Sequence, residues 1–154
     1  MAIQVMKQIM DCLDSKKNFL LSGGAGSGKT YTLIQTLNHI FNINSTARVA
    51  CITYTNVASD EIKERSPFSN LFVSTIHDFL WEEIKDYQKN LKESVINLLR
   101  NGTIKYSGDT DVNDLVFDNI QYKNYRKIEN GIISHDDILK IANYMFAQYK
   151  KEFY

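Results

Sequence analysis

The stretch NFLLSGGAGSGKT, from Asn18 to Thr30, decides how the rest of this 154-residue chain is read. Its last eight residues, 23–30, satisfy G-x-x-x-x-G-K followed by Ser or Thr, the P-loop or Walker A pattern. That pattern has meaning between a strand and a helix. Asn18 to Ser22 is an apolar run too short for a helix and opening directly into glycines, which predicts a buried strand. Residues 29–41 carry Leu33, Leu37 and Ile40 at helical spacing, which predicts the helix. The residue types suit a polyphosphate. Glycines let consecutive backbone N–H groups converge on phosphate oxygens with no Cβ in the way. The following helix offers the positive end of its dipole to the same anion. Lys29 can reach the β- and γ-phosphates, and the Thr30 hydroxyl can ligate Mg²⁺. The expected ligand is ATP with Mg²⁺, held by Gly23, Gly24, Ala25, Gly26, Ser27, Gly28, Lys29, Thr30 and Tyr31. Lys29 and Thr30 take the catalytic roles, and Thr30 is the metal ligand.

Outward from the loop, the pattern alternates. Residues 3–13 place Ile3, Met6, Ile9, Met10 and Leu13 at helical spacing and end near Asp14-Ser15. A second strand is predicted at residues 49–53. A helix follows over 56–65, stopped before Pro67 because a residue preceding proline avoids the helical region. A third strand is predicted at 71–74. This order implies an α/β fold with a parallel sheet flanked by helices. Beyond Ile76 the pattern changes. Residues 76–100 read as helical, with Phe79, Ile84, Tyr87, Leu91, Val95 and Leu98 or Leu99 on an apolar face. Residues 101–131 are mixed, with turn signals at Gly102, 107–109 and 130–131. Asp109, Asp111 and Asp114 lack the glycine and terminal glutamate of a calcium loop and read as an exposed turn. Ser134 to Asp137 resembles a capping box opening a helix that runs past Phe146. The expected organisation is a P-loop core over 1–77 and a mainly helical insertion or subdomain over 78–154.

Composition bounds the answer without choosing it. Eighteen basic residues balance eighteen acidic ones, so no global basic excess points to nucleic acid. A 44% hydrophobic content suits a buried core. Two cysteines, Cys12 and Cys51, make neither a disulfide framework nor a metal cluster, and Cys51 reads as a small buried hydrophobe. No apolar run approaches the roughly 20 residues of a membrane helix. The N-terminal stretch, interrupted by Lys7, Gln8 and Asp11, does not read as a secretory signal. A cytoplasmic protein with no membrane partner is expected.

Three stretches, taken together, resemble the UvrD/Rep-like superfamily I DNA helicases. They are GGAGSGKTYTL (residues 23–33), ITYTNVASDEIKER (52–65) and STIHDFL (74–80), in the family's order. The resemblance implies a RecA-like motor domain. It also implies that Gln8, 21 residues before Lys29, pairs with the adenine edge; a glutamine amide offers the donor and acceptor this needs. Thr55 and Asn56, after the second strand, and Thr75 and His77, after the third, are implied to face single-stranded DNA, with RNA left open. Other roles compete. Asn56 can cap the helix it precedes, and His77 can be a hydrogen-bonded structural residue. Phe79, Trp81 and Tyr87 could stack on bases but fit a core better, and Lys63 and Arg65 fit a solvated helix face. Tyr54 stands where the family usually has Phe. His135 with Asp136 and Asp137 resembles a segment the family carries shortly before its Walker B strand, although a helix N-terminus accounts for it as well.

The family's Walker B motif, an apolar strand ending in Asp-Glu, is not found, nor are an arginine finger and a second motor domain. The chain therefore reads as an incomplete, N-terminal piece of a helicase whose parent couples ATP hydrolysis to translocation and unwinding. By itself it is expected to bind nucleotide weakly and turn it over barely or not at all. Two other readings stand beside this one: a non-enzymatic nucleotide-binding switch, and another P-loop enzyme such as a small-molecule kinase. For a kinase lid the sequence offers only Lys105, Lys123, Arg126 and Lys127, without a recognisable pattern.

Overall fold

The spacing of the first dozen residues is realised as helix α1 (Ala2–Asp14), which buries Ile9. It ends as Lys16 turns into the left-handed region at φ 53° and the Lys17 N–H closes on the Cys12 carbonyl at 2.8 Å. In this computed structural model the backbone of residues 2–153 and the side chains of 4–151 are described, and the chain divides into two units between Ser74 and Thr75. The Ile3 side chain expected on the apolar face of α1 lies outside the described ones.

The first unit continues with α2 (Lys29–Ile43), β1 (Val49–Thr53), α3 (Asn56–Arg65) and β2 (Leu71–Thr75), whose last residue opens the second unit. Ile34, Leu37 and Phe41 recur at helical spacing on α2 and are buried with Cys51, Ile62 and Val73. The Phe41 ring stacks on Phe68 at 4.3 Å between centroids. β1 and β2 form a two-stranded sheet. The Val49 N–H bonds the Asn70 carbonyl at 3.2 Å, and the Thr53 hydroxyl donates to the Ser74 carbonyl at 3.3 Å. These contacts step the same way along both strands, so the pair is parallel, as the intervening helix requires. Cys51 is 8% exposed, and burial pushes its thiol pKa up, in keeping with an apolar role. Lys63 and Arg65 lie on a solvated face, within 4.0 Å of Asp60 and 3.1 Å of Glu61 respectively; such exposed pairs add little.

One expected strand is not formed. Residues 18–22 lead into the loop as extended chain without a ladder, with Leu20 91% and Phe19 46% exposed. An apolar run becomes a strand when a neighbour offers hydrogen bonds, and among the described residues β1 pairs only with β2.

The second unit contains α4 (Ile76–Ile84), α5 (Gln88–Arg100), the two-residue strands β3 (Gln121–Tyr122) and β4 (Ile132–Ile133), α6 (His135–Gln148) and α7 (Lys150–Phe153). The helix expected across 76–100 is thus broken at Lys85–Tyr87, with neither Gly nor Pro responsible. The Gln88 amide makes the corner. Its Nε2 donates to the Lys85 carbonyl at 2.7 Å and the Ile120 carbonyl at 3.2 Å, while its Oε1 accepts from the Ile120 N–H at 2.8 Å. β3 and β4 pair in parallel, Gln121 with Ile132 and Tyr122 with Ile133. The turn into β4 passes through Gly131 at φ 71°, where a Cβ would run into the Asn119 carbonyl. The capping box forms: Ser134 N–H and hydroxyl each lie 3.0 Å from the Asp137 carboxylate. Ile84, Leu91, Val95, Ile133, Ile138, Ile141 and Met145 are fully buried and form the core. Asp111 caps the short turn at Val112–Asp114, as an exposed acidic turn should. No helix among the described residues is long and apolar enough to cross a membrane.

Ile138 is 0% exposed at the centre of this core. Ile138→Ala should lower stability by about 2–5 kcal/mol through lost transfer energy and the cavity left behind. Urea unfolding followed by far-UV circular dichroism measures it; a loss under about 1 kcal/mol contradicts the packing described.

Candidate functional site

Residues 23–28 curl back on themselves before α2 begins. The Ser27 N–H approaches the Gly24 carbonyl at 3.3 Å, and Gly26 and Gly28 take the left-handed region at φ 73° and 82°. A side chain at either position would be strained. Gly23 is needed for another reason: a Cβ there would lie 2.5 Å from the Ser27 hydroxyl. Lys29 folds over the curl, its ammonium bonding the carbonyls of Gly23 at 2.7 Å and Gly24 at 2.6 Å and reaching the Ser27 hydroxyl at 3.4 Å. Helix α2 has Gly28 as its N-cap and no side-chain cap, so its first-turn N–H groups are left to another acceptor. The Gly28 carbonyl, by contrast, is engaged by the Thr32 N–H at 2.9 Å and hydroxyl at 3.0 Å.

These features fit a polyphosphate. No atom lies within 4 Å of the positions a Cβ would take on Gly24, Gly26 and Gly28, so an anion can approach the backbone there. Thr30, the second residue of α2, is half-buried, and Tyr31 is 63% exposed beside it. The described residues contain no cluster of three or more His, Cys, Asp or Glu able to hold a metal. Thr30 is the residue of the loop whose hydroxyl could help hold a Mg²⁺. Gln8 is exposed on α1 and lines a cavity of about 460 Å³ with Ile9, Cys12, Phe19, Leu20 and Leu21. Mostly apolar walls with the Gln8 amide and the Asp11 carboxylate as polar groups suit a ring with a polar edge.

The residues after β1 are on the surface. Thr55, not Asn56, is the N-cap of α3, accepting from the Ala58 N–H at 3.3 Å. Asn56 is exposed, flanked by Tyr54 and Val57 at 76% and 79% exposure. Tyr54 is the large exposed ring at this end of β1. It lies just past a strand's carboxyl end, the side on which open α/β sheets take ligands.

Thr75 and His77 are different: they are 4% and 2% exposed in the second unit. Thr75 caps α4, accepting from the Asp78 N–H at 3.2 Å and donating to the Asp78 carboxylate at 2.8 Å. The His77 ring stacks on His135, centroids 3.4 Å apart, and His135 Nδ1 lies 2.7 Å from the Tyr122 hydroxyl. Trp81 packs on Tyr122 at 5.9 Å, a core role, as its apolar face suggests. Burial lowers the His77 pKa, and the neighbouring His135 lowers it further; Asp78 and Asp136 oppose this more weakly.

A histidine pKa held below the unfolded value of 6.5 means that the native state prefers the neutral ring. The associated stability is present in full above that pH and is lost as pH falls below it. Thermal unfolding from pH 8 to pH 5 should therefore show a steeper loss below about 6.5 in the parent chain than in His77→Gln. Parallel curves for the two proteins would refute the assignment.

A family model for the UvrD/REP helicase N-terminal domain matches residues 5–153. The chain is also similar to the Gabija protein GajB of Bacillus cereus (strain HuB5-5), with 45% identity over 92 residues. That match covers 55% of this chain and 14% of the relative's length. No solved structure matches. With nearly its whole length matched, the chain belongs to the UvrD/REP helicase N-terminal domain family.

Proposed function

We propose that this chain is the nucleotide-binding N-terminal part of the motor of an ATP-dependent DNA helicase, and that residues 23–30 hold the triphosphate of MgATP. The observation that supports this most is the curl of glycines ahead of an uncapped helix, with the Lys29 ammonium already drawn against its carbonyls. Lys29 exchanges at least one carbonyl for a phosphate oxygen, and an ammonium has three donors to share. First-turn N–H groups of α2 face the same anion. Thr30 offers its hydroxyl to Mg²⁺, and Gln8 reads the adenine edge at the mouth of the apolar cavity. Bound MgATP supplies the free energy of hydrolysis on which translocation and unwinding by the parent enzyme depend.

Single-stranded DNA lies across the exposed end of β1 in this reading. Thr55 and Asn56 make sequence-neutral contacts to the backbone, and Tyr54 offers an exposed ring to a base. Thr75 and His77 act from within their own unit by fixing the start of α4.

Lys29 is exposed and its bonds stay within the loop, so Lys29→Ala should leave the unfolding temperature close to that of the parent. Its affinity for a fluorescent ATP analogue should drop at least roughly tenfold, the value of one charge-assisted contact. Equal affinities for the two proteins would refute the proposed phosphate site.

A further inference from the structure

We infer that the second unit carries a polyanion pocket of its own, between residues 105–108 and 126–129, that takes phosphodiester groups of a nucleic acid. The inference rests on the nucleic-acid reading above and extends it to a surface outside the family-like motifs. The cavity measures about 250 Å³ and is lined by Lys105, Ser107, Gly108, Arg126, Lys127 and Glu129 among others.

Its walls are built, not incidental. The Arg126 guanidinium donates to the Lys105 carbonyl and so ties one wall to the other. Arg126 Nε also lies 3.4 Å from the carboxylate of Asp137, which is 1% exposed and anchored by Ser134. A buried carboxylate thus fixes the arginine, and the arginine fixes the loop. Lys140 Nζ bonds the Thr103 carbonyl at 3.2 Å, bringing another cation to the same stretch of backbone. In the lining, Lys105, Arg126 and Lys127 stand with one carboxylate, Glu129, and Asp137 lies behind Arg126. Asp137 is spent on Arg126 and the helix cap. Glu129 is turned towards Tyr106 and Gly108, so closely that a Cβ on Gly108 would collide with both side chains. Lys105 and Lys127 are left exposed at the rim.

The chemistry of the rim selects the ligand. The two solvated ammonium groups and the Arg126 guanidinium outnumber the Glu129 carboxylate in the lining, which favours an anion, and phosphodiesters present anions in series. The run Lys123-Asn-Tyr-Arg-Lys127 also exposes the Tyr125 ring by 53%, and an aromatic set among cations is the arrangement that accommodates a base next to its phosphate.

The test uses a double variant, Lys105→Ala with Lys127→Ala, and fluorescence anisotropy with a labelled single strand and with a duplex of the same sequence. Binding is measured over a range of salt concentrations. The variant should lose roughly tenfold in affinity at low salt, and its dependence of log K on log salt should flatten by about 0.7–0.9 for each lysine removed. A loss on both DNA forms assigns the pocket to backbone phosphate in general, and a loss on one form assigns it to that form. Unchanged affinity and slope, with the parent chain binding DNA, would overturn this inference and leave the proposed function standing. No binding by the parent chain would overturn both nucleic-acid readings. An Asn56→Ala variant provides the contrast: it should weaken binding while keeping the salt slope, because an amide displaces no counterion.

Discussion

An ammonium group has three protons to donate, and the Lys29 ammonium, though exposed, donates to carbonyls of the loop that precedes it. Lys29 draws Gly23, Gly24 and Ser27 around itself. Only a backbone that enters the left-handed region at Gly26 and Gly28 can curl tightly enough to present them. The same curl delivers the chain to α2 with no side chain over the helix end. One lysine and a few glycines thereby hold the loop in its curl ahead of the helix. The phosphate chemistry proposed for this protein depends on that coupling.

Much of this was legible in the sequence where local chemistry and long-range packing agree. β1, α3 and β2 fall within a residue of their expected limits because apolar runs and Pro67 mark the same boundaries, although the cap of α3 is Thr55 and not Asn56. The capping box at Ser134 could be read directly from its spacing. Failures occurred where a distant partner decides. Residues 18–22 have the composition of a strand, but the described residues offer them no ladder. The corner at Lys85–Tyr87 is set by Ile120, far away in sequence, and no local breaker announces it. β3 and β4 are two residues each, too short for any periodicity to register.

The candidate site divides in the same way. The curl of residues 23–28, with its left-handed glycines and the lysine folded over it, is set by a local motif. The strand-end residues could be named from family resemblance, but their exposure could not. Thr55 and Asn56 lie on the surface, whereas Thr75 and His77 are closed in by Asp78, His135 and the packing around them. Whether a polar residue at the end of a strand meets solvent or core is settled by what packs over it, and a single sequence does not carry that.

The Gln88 amide uses its two ends in opposite senses, nitrogen to carbonyls and oxygen to an N–H. Glutamate has nearly the same shape but no protons to give at neutral pH, so it would press a carboxylate against two carbonyl oxygens. Lysine or methionine would leave the Ile120 N–H without its acceptor. The corner between α4 and α5 is thus a point of narrow chemical tolerance on a half-buried surface. The change of direction between the two helices is tied to one side chain by the polarity of both its ends.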